Sequence, residues 1–106
     1  MAGEDEEKFK IKQYTLTFPA LTSLMPTENI ASVDLPKDAN FLLSTVAGLD
    51  LLLYYLVETS VEEESVRFIA LRVGEETKRD VSTLVYNGAL MQFLEYRFVF
   101  QIDEAD

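Results

Sequence analysis

The chain is predicted to fold as a mainly β protein, a small antiparallel sandwich or partly closed barrel of about six to seven strands. Apolar runs of strand length recur along the 106 residues. Turn signals cut them apart, and the last run alternates apolar and polar side chains with the period of two that a half-buried strand requires. A content of 48% apolar residues with only 3 Pro and 4 Gly separates the chain from disordered and fibrous classes and leaves enough apolar surface for one core.

Residues 1–7 are small or acidic and are expected to be a disordered tail, followed by a single β-rich domain over 8–103 and an acidic end at 104–106. The first strand starts near Lys8, where Lys8, Lys10 and Lys12 alternate with Phe9 and Ile11, so that the lysines define a charged face and Phe9 and Ile11 a packing face. The apolar parity then moves to Tyr14, Leu16 and Phe18, which predicts a β-bulge near Lys12-Gln13 or a strand whose halves face different layers. Pro19 to Asn29 reads as a crossing loop and Ile30 to Leu35 as a short strand closed by Pro36.

Phe41 to Val46 and Leu51 to Val57 are expected to pair as a hairpin about Gly48. Apolar residues fill both parities there, the pattern of strands covered on both faces, so this hairpin is placed at the centre of the fold. A buried helix over Asn40 to Val57 is the rival assignment. A membrane span is disfavoured because the run is shorter than the ~20 residues needed and holds Asp50 beside a turn at Gly48. Thr59 to Ser65 is a polar link with capping-box spacing at Ser60 and Glu63, consistent with one helical turn. Arg67 to Val73 is the next strand. Thr83 to Tyr86 follows, and Asn87-Gly88 is read as a type I′ hairpin turn. In the final strand Leu94, Tyr96, Phe98, Phe100 and Ile102 form the core face, which leaves Glu95, Arg97, Val99 and Gln101 on the outside.

Chemistry is constrained by what is missing. His, Cys and Trp are absent, so imidazole and thiolate nucleophiles, sulfur-ligated zinc and disulfides cannot be built. Glu62-Glu63-Glu64 lacks the spacing of a calcium loop, no phosphate-cradling glycine motif occurs, and the acid clusters fall in expected loops and ends. The expectation is a protein with no catalytic residue, no cofactor and no metal. A net charge of -10 opposes general binding to phosphate backbones, so no direct nucleic-acid contact is expected. Tyr54, Tyr55, Tyr86 and Tyr96 lack interleaved basic residues and are assigned to core packing instead of base stacking. With no apolar leader after Met1, a cytoplasmic location is expected and no membrane association.

Several segments carry a resemblance: Lys12-Gln13-Tyr14-Thr15-Leu16, the run from Val33 through Pro36 to Ser44, the Gly48 turn into Leu53-Tyr54-Tyr55-Leu56-Val57-Glu58, Arg67-Phe68 to Gly74, Tyr86-Asn87-Gly88-Ala89, and Phe98-Val99-Phe100-Gln101-Ile102. In this order they resemble a group of small uncharacterised β-rich domains found in bacteriophage and bacterial genomes. The resemblance implies a compact β domain of phage or mobile-element origin, in the host cytoplasm or the phage particle, and no activity. Members usually carry an aromatic, often Trp, in the central strand and a Trp-His pair near the end. Here those places hold Tyr54 or Tyr55, and Phe100-Gln101.

The functional expectation is an accessory module that binds a partner protein or itself through a sheet edge or outer face. Its candidate contacts are Lys10 and Lys12 on the first strand and Glu95, Arg97, Val99 and Gln101 on the last. Lysines on a first strand also serve simply to protect an edge from pairing. Two alternatives are an acidic mimic of nucleic acid that inhibits a DNA- or RNA-binding enzyme, and a structural subunit of a homo-oligomeric particle.

Overall fold

The structure, a computed structural model, describes residues 8–18, 28–92 and 94–103. The two acidic ends and most of the expected crossing loop, 19–27, lie outside the described residues. Among the described residues seven strands occur in the order β1 (Phe9–Leu16), β2 (Asn29–Pro36), β3 (Asn40–Ala47), β4 (Asp50–Glu58), β5 (Glu63–Arg72), β6 (Leu84–Gln92) and β7 (Glu95–Ile102), with a 3-10 turn at Val81–Thr83 before β6. They form two antiparallel sheets, β1-β4-β3 and β2-β5-β7-β6. No ladder joins β1 to β2 or β3 to β6 among the described residues, so the fold is an open sandwich and not a barrel.

The expected hairpin about Gly48 is present as β3 and β4, with Gly48 at φ 62 in its turn, and the helical rival is excluded. β4 occupies the centre of its sheet. Its alternate residues Leu51, Leu53, Tyr55 and Val57 are fully buried and meet Phe68, Ala70, Leu90 and Val99 of the facing sheet in one core. Full burial of each of the larger side chains stabilises the fold by roughly 1.5–3 kcal/mol. Between Thr59 and Glu63 the chain makes a turn and enters β5 without a helical turn.

Two expectations about side-chain direction and one about a turn are overturned. β1 pairs with β4 in unbroken register from Phe9↔Glu58 to Leu16↔Leu51, so it contains no bulge. Its inward parity is set by Tyr14 and Leu16, opposite Leu53 and Leu51, and Lys10 and Lys12 therefore share the inner side while Phe9 and Ile11 point outward, Ile11 being 63% exposed. The lysines are tolerated because they sit toward the open end of the sandwich, where Lys12 lays its chain along Tyr14 with Nζ 5.5 Å from the ring centre.

The second reversal is in β7. Val99 is fully buried (0% exposed) and Arg97 nearly so (3%), whereas Tyr96 is exposed and Phe98 and Phe100 are half-buried. Val99 stands in one rung between Ala70 and Gly88, and these small residues allow the sheets to approach closely; the Phe98 and Phe100 rings do not fit there. The aromatic side lies instead on the outer face with Ile69 and Ile102. β5 and β6 are both antiparallel to β7 and hence parallel to each other, so their connection, 73–83, must travel back along the sheet. With the inner face occupied by β1-β4-β3, it crosses the outer one. Arg79 anchors it near the β2 edge through a bidentate pair with Glu28 (2.7 and 2.8 Å), and Asp103 N–H donates to Thr83 O (2.7 Å) at the β6 side. Ile69 is accordingly 0% exposed although it faces away from the other sheet.

The third correction concerns Asn87-Gly88. It is no hairpin turn: β6 runs through it, with a register break between Tyr86 and Gly88, and the reversal comes between Gln92 and Glu95, where Leu94 has φ 64. Positive φ serves a bulge as well as a turn, and Gly88 adopts φ 144. A Cβ there would collide with Ser44 Oγ of the opposite sheet, so close approach of β3 explains the glycine.

Candidate functional site

The 73–83 connection crosses the outer face of the four-stranded sheet, and no described segment crosses the outer face of β1-β4-β3. Outward-facing positions of β1-β4-β3 form cross-strand rows: Ile11 beside Leu56 and Asn40, Gln13 beside Tyr54 and Leu43, Thr15 beside Leu52 and Thr45. Phe9, Ile11, Leu43 and Leu56 are exposed, and Leu52 and Tyr54 are half-buried. Around this apolar centre lie Thr15, Thr45, Asn40 and Gln13, the last accepting a hydrogen bond from the Tyr54 hydroxyl (3.3 Å). Contiguous apolar surface with a polar surround is the anatomy of a protein-contact patch. β3 and β4 were expected to be covered on both faces; the structure covers one.

The candidate contacts named from alternation are not brought together. Lys10 and Lys12 belong to the three-stranded sheet and line a cleft of about 180 Å³ with Pro36, Val57, Glu58 and Glu63 at the mouth between β1 and β2. Glu95 is exposed on the other sheet and pairs with Arg97 Nη1 at 3.0 Å and Arg72 at 4.0 Å. Arg97 and Val99 are interior, and Gln101 is half-buried with its N–H donated to Asn87 Oδ1 (2.8 Å). Of the four tyrosines assigned to the core, only Tyr55 is buried; Tyr86 and Tyr96 are exposed on the outer side of the four-stranded sheet.

Tyr55 illustrates how the interior is tuned. Its ring meets Tyr14 at 5.9 Å and Phe41 at 5.5 Å, both edge-on, and its hydroxyl has no hydrogen-bond partner. Burial, with the neighbouring Tyr14 phenol adding to it, pushes its pKa up to about 12. It is a neutral core phenol. A second cleft, of about 130 Å³ near Pro36, Ala39 and Tyr55, is smaller than the ~300 Å³ at which drug-sized ligand sites begin. No group of three or more acids able to hold a metal ion occurs among the described residues, and none of their helices is long and apolar enough to cross a membrane.

Sequence reasoning missed Phe9, Ile11, Leu43 and Leu56 as a surface. The available signal was the double-parity apolar pattern of β3 and β4, which a contact face produces as readily as a second covering layer. No family model, curated protein or solved structure matches the chain.

Proposed function

We propose that this protein is a non-enzymatic interaction module that binds a partner protein through the outer face of the β1-β4-β3 sheet. The observation that carries the reading is the continuity of Phe9, Ile11, Leu43, Leu52, Tyr54 and Leu56 across all three strands of that sheet, exposed or half-exposed, while the 73–83 segment crosses the outer face of the second sheet and leaves exposed there Tyr86, Met91 and Tyr96 on its β6-β7 side. Apolar side chains in such number on one side cost solubility unless a partner uses them. The high acid content offsets that cost by mutual repulsion, which keeps the free protein dispersed.

The test compares partner capture by the immobilised chain and by Leu43→Asp and Leu56→Asp variants, using extract of the cells that encode it. Both positions are exposed, so the variants should keep the parent's circular dichroism spectrum and melting behaviour while losing the captured protein. Binding should survive raised salt, because apolar contact is not screened, whereas nucleic-acid mimicry by acidic clusters would fade steeply with salt. Identical capture by parent and variants would overturn the reading.

A further inference from the structure

The four sheet edges differ in how they are protected. β3 breaks register at Leu42 and β6 at Asn87, and β2 ends in Pro36; bulges and proline blunt an edge against added strands. β1 alone of these runs its whole length without a register break or a proline, and its protection is the charge of Lys10 and Lys12, which repels most strands and which carboxylates on an incoming strand neutralise. Its backbone polarity can be read from one bond. Thr59 N–H donates to Lys8 O (2.8 Å), and these residues are opposite in the β1-β4 register, so Lys8, Lys10, Lys12, Tyr14 and Leu16 direct their backbone groups to β4. Phe9, Ile11, Gln13 and Thr15 consequently aim N–H and C=O out of the sheet edge.

Charge on β1 itself is opposite to that of the protein, although Glu58 and Glu63 line the same cleft as Lys10 and Lys12. The chain has 19 acids and 9 bases, yet between residues 8 and 18 it has Lys8, Lys10 and Lys12 and no acid. Lys10 and Lys12 line the cleft on the inner side, and Phe9 and Ile11 stand on the outer side, continuous with the apolar face. The opposite seam cannot accept a strand in the same way, because Ser44 and Asn87 already tie β3 to β6 there.

We infer that the β1 edge takes up an extended segment of the partner protein in which acidic and apolar side chains alternate, as a fourth strand of the β1-β4-β3 sheet. The acidic side chains meet Lys10 and Lys12, the apolar ones extend the Phe9–Ile11 surface, and backbone bonds to Phe9, Ile11, Gln13 and Thr15 supply affinity independent of sequence. A second copy's β1 is a poorer occupant, since it brings the lysines of both strands to one seam. The inference deepens the interaction reading and rests on it.

Its test uses the full chain with two capped synthetic peptides, one of alternating glutamate and valine and one of alternating lysine and valine, followed by amide hydrogen exchange and NMR shifts. The glutamate peptide should slow exchange at Phe9, Ile11, Gln13 and Thr15 and leave the β2, β3 and β6 edges unchanged; the lysine peptide should not bind. Gln13→Pro removes an outward N–H and no β4 bond, and should weaken binding about tenfold. A Lys10→Glu, Lys12→Glu variant should exchange the peptide preference. Equal binding of both peptides, protection at another edge, or none at those four amides would overturn the inference. If Leu43→Asp still releases the captured partner while Gln13→Pro does not, the interaction reading stands and only the edge is removed; if neither variant matters, both fall.

Discussion

Ser44 on β3 donates its hydroxyl to the backbone carbonyl of Asn87 on β6 at 2.6 Å, which links the edge of one sheet to the edge of the other. The Asn87 side chain in turn accepts from Gln101 N–H, filling the gap that the bulge leaves in the β6-β7 ladder. One seam of the sandwich is thereby stitched, and among the described residues no strand ladder closes the β1-β2 seam, lined by Lys10 and Lys12.

Gly88→Ala should be strongly destabilising, by about 2–3 kcal/mol, because a Cβ meets Ser44 Oγ and φ 144 strains any L-residue. Ser44→Ala should cost about 1 kcal/mol through the lost hydrogen bond. In the double variant the glycine substitution should cost less than in the parent, since the hydroxyl it strikes is gone. Urea unfolding of the four proteins measures this coupling, and additive costs would show that the seam does not couple the sheets.

The raised pKa of Tyr55 predicts an alkaline limb in stability. The folded phenol ionises near 12 and the unfolded one near 10, so above pH 10 the unfolded state sheds a proton that the folded state retains. Stability is intact below pH 10 and falls as pH rises toward 12. Tyr55→Phe should flatten this limb and, by removing a buried hydroxyl without a partner, leave neutral-pH stability equal or up to about 1 kcal/mol higher. Denaturant midpoints measured from pH 8 to 12 check both points.

Arg79→Ala should release the 73–83 segment from Glu28 at a cost of under about 1 kcal/mol, the pair being partly exposed. High salt should narrow the difference between parent and variant. A salt-independent difference would mean that the guanidinium contributes packing and not charge.

Val99→Ala should cost about 2 kcal/mol by opening space in the rung between Ala70 and Gly88, whereas Leu43→Ser on the open face should be nearly neutral. Thermal unfolding of the two variants distinguishes the observed facing of these strands from the reverse.

Strand content, two-sheet layering, the β3-β4 hairpin about Gly48 and the lack of imidazole or thiol chemistry were all legible in the residues, because each depends on local propensity, turn chemistry or composition. Lys10 and Lys12 were also legible as an edge feature. Which way β1 and β7 face was not. Alternation assigns the larger apolar set to the core, a rule that holds for a strand whose other face is fully open, and the outer face of β7 is partly covered. There Phe98 and Phe100 are half-buried and Tyr96 is exposed, and the narrow inner rung of Ala70, Val99 and Gly88 took the smaller residues.

The amino-acid order by itself determined that this chain forms short antiparallel strands and has no histidine or cysteine. Only the tertiary structure decided that Asn87-Gly88 is a bulge instead of a turn, that Arg97 and Val99 are interior, and that Phe9, Ile11, Leu43 and Leu56 share an open face. The physical reason is that positive φ and period-two hydrophobicity are local quantities, each compatible with two arrangements. The choice between them was made by what lies opposite: Ser44 across from Gly88, a roof over Ile69, and nothing described over Ile11.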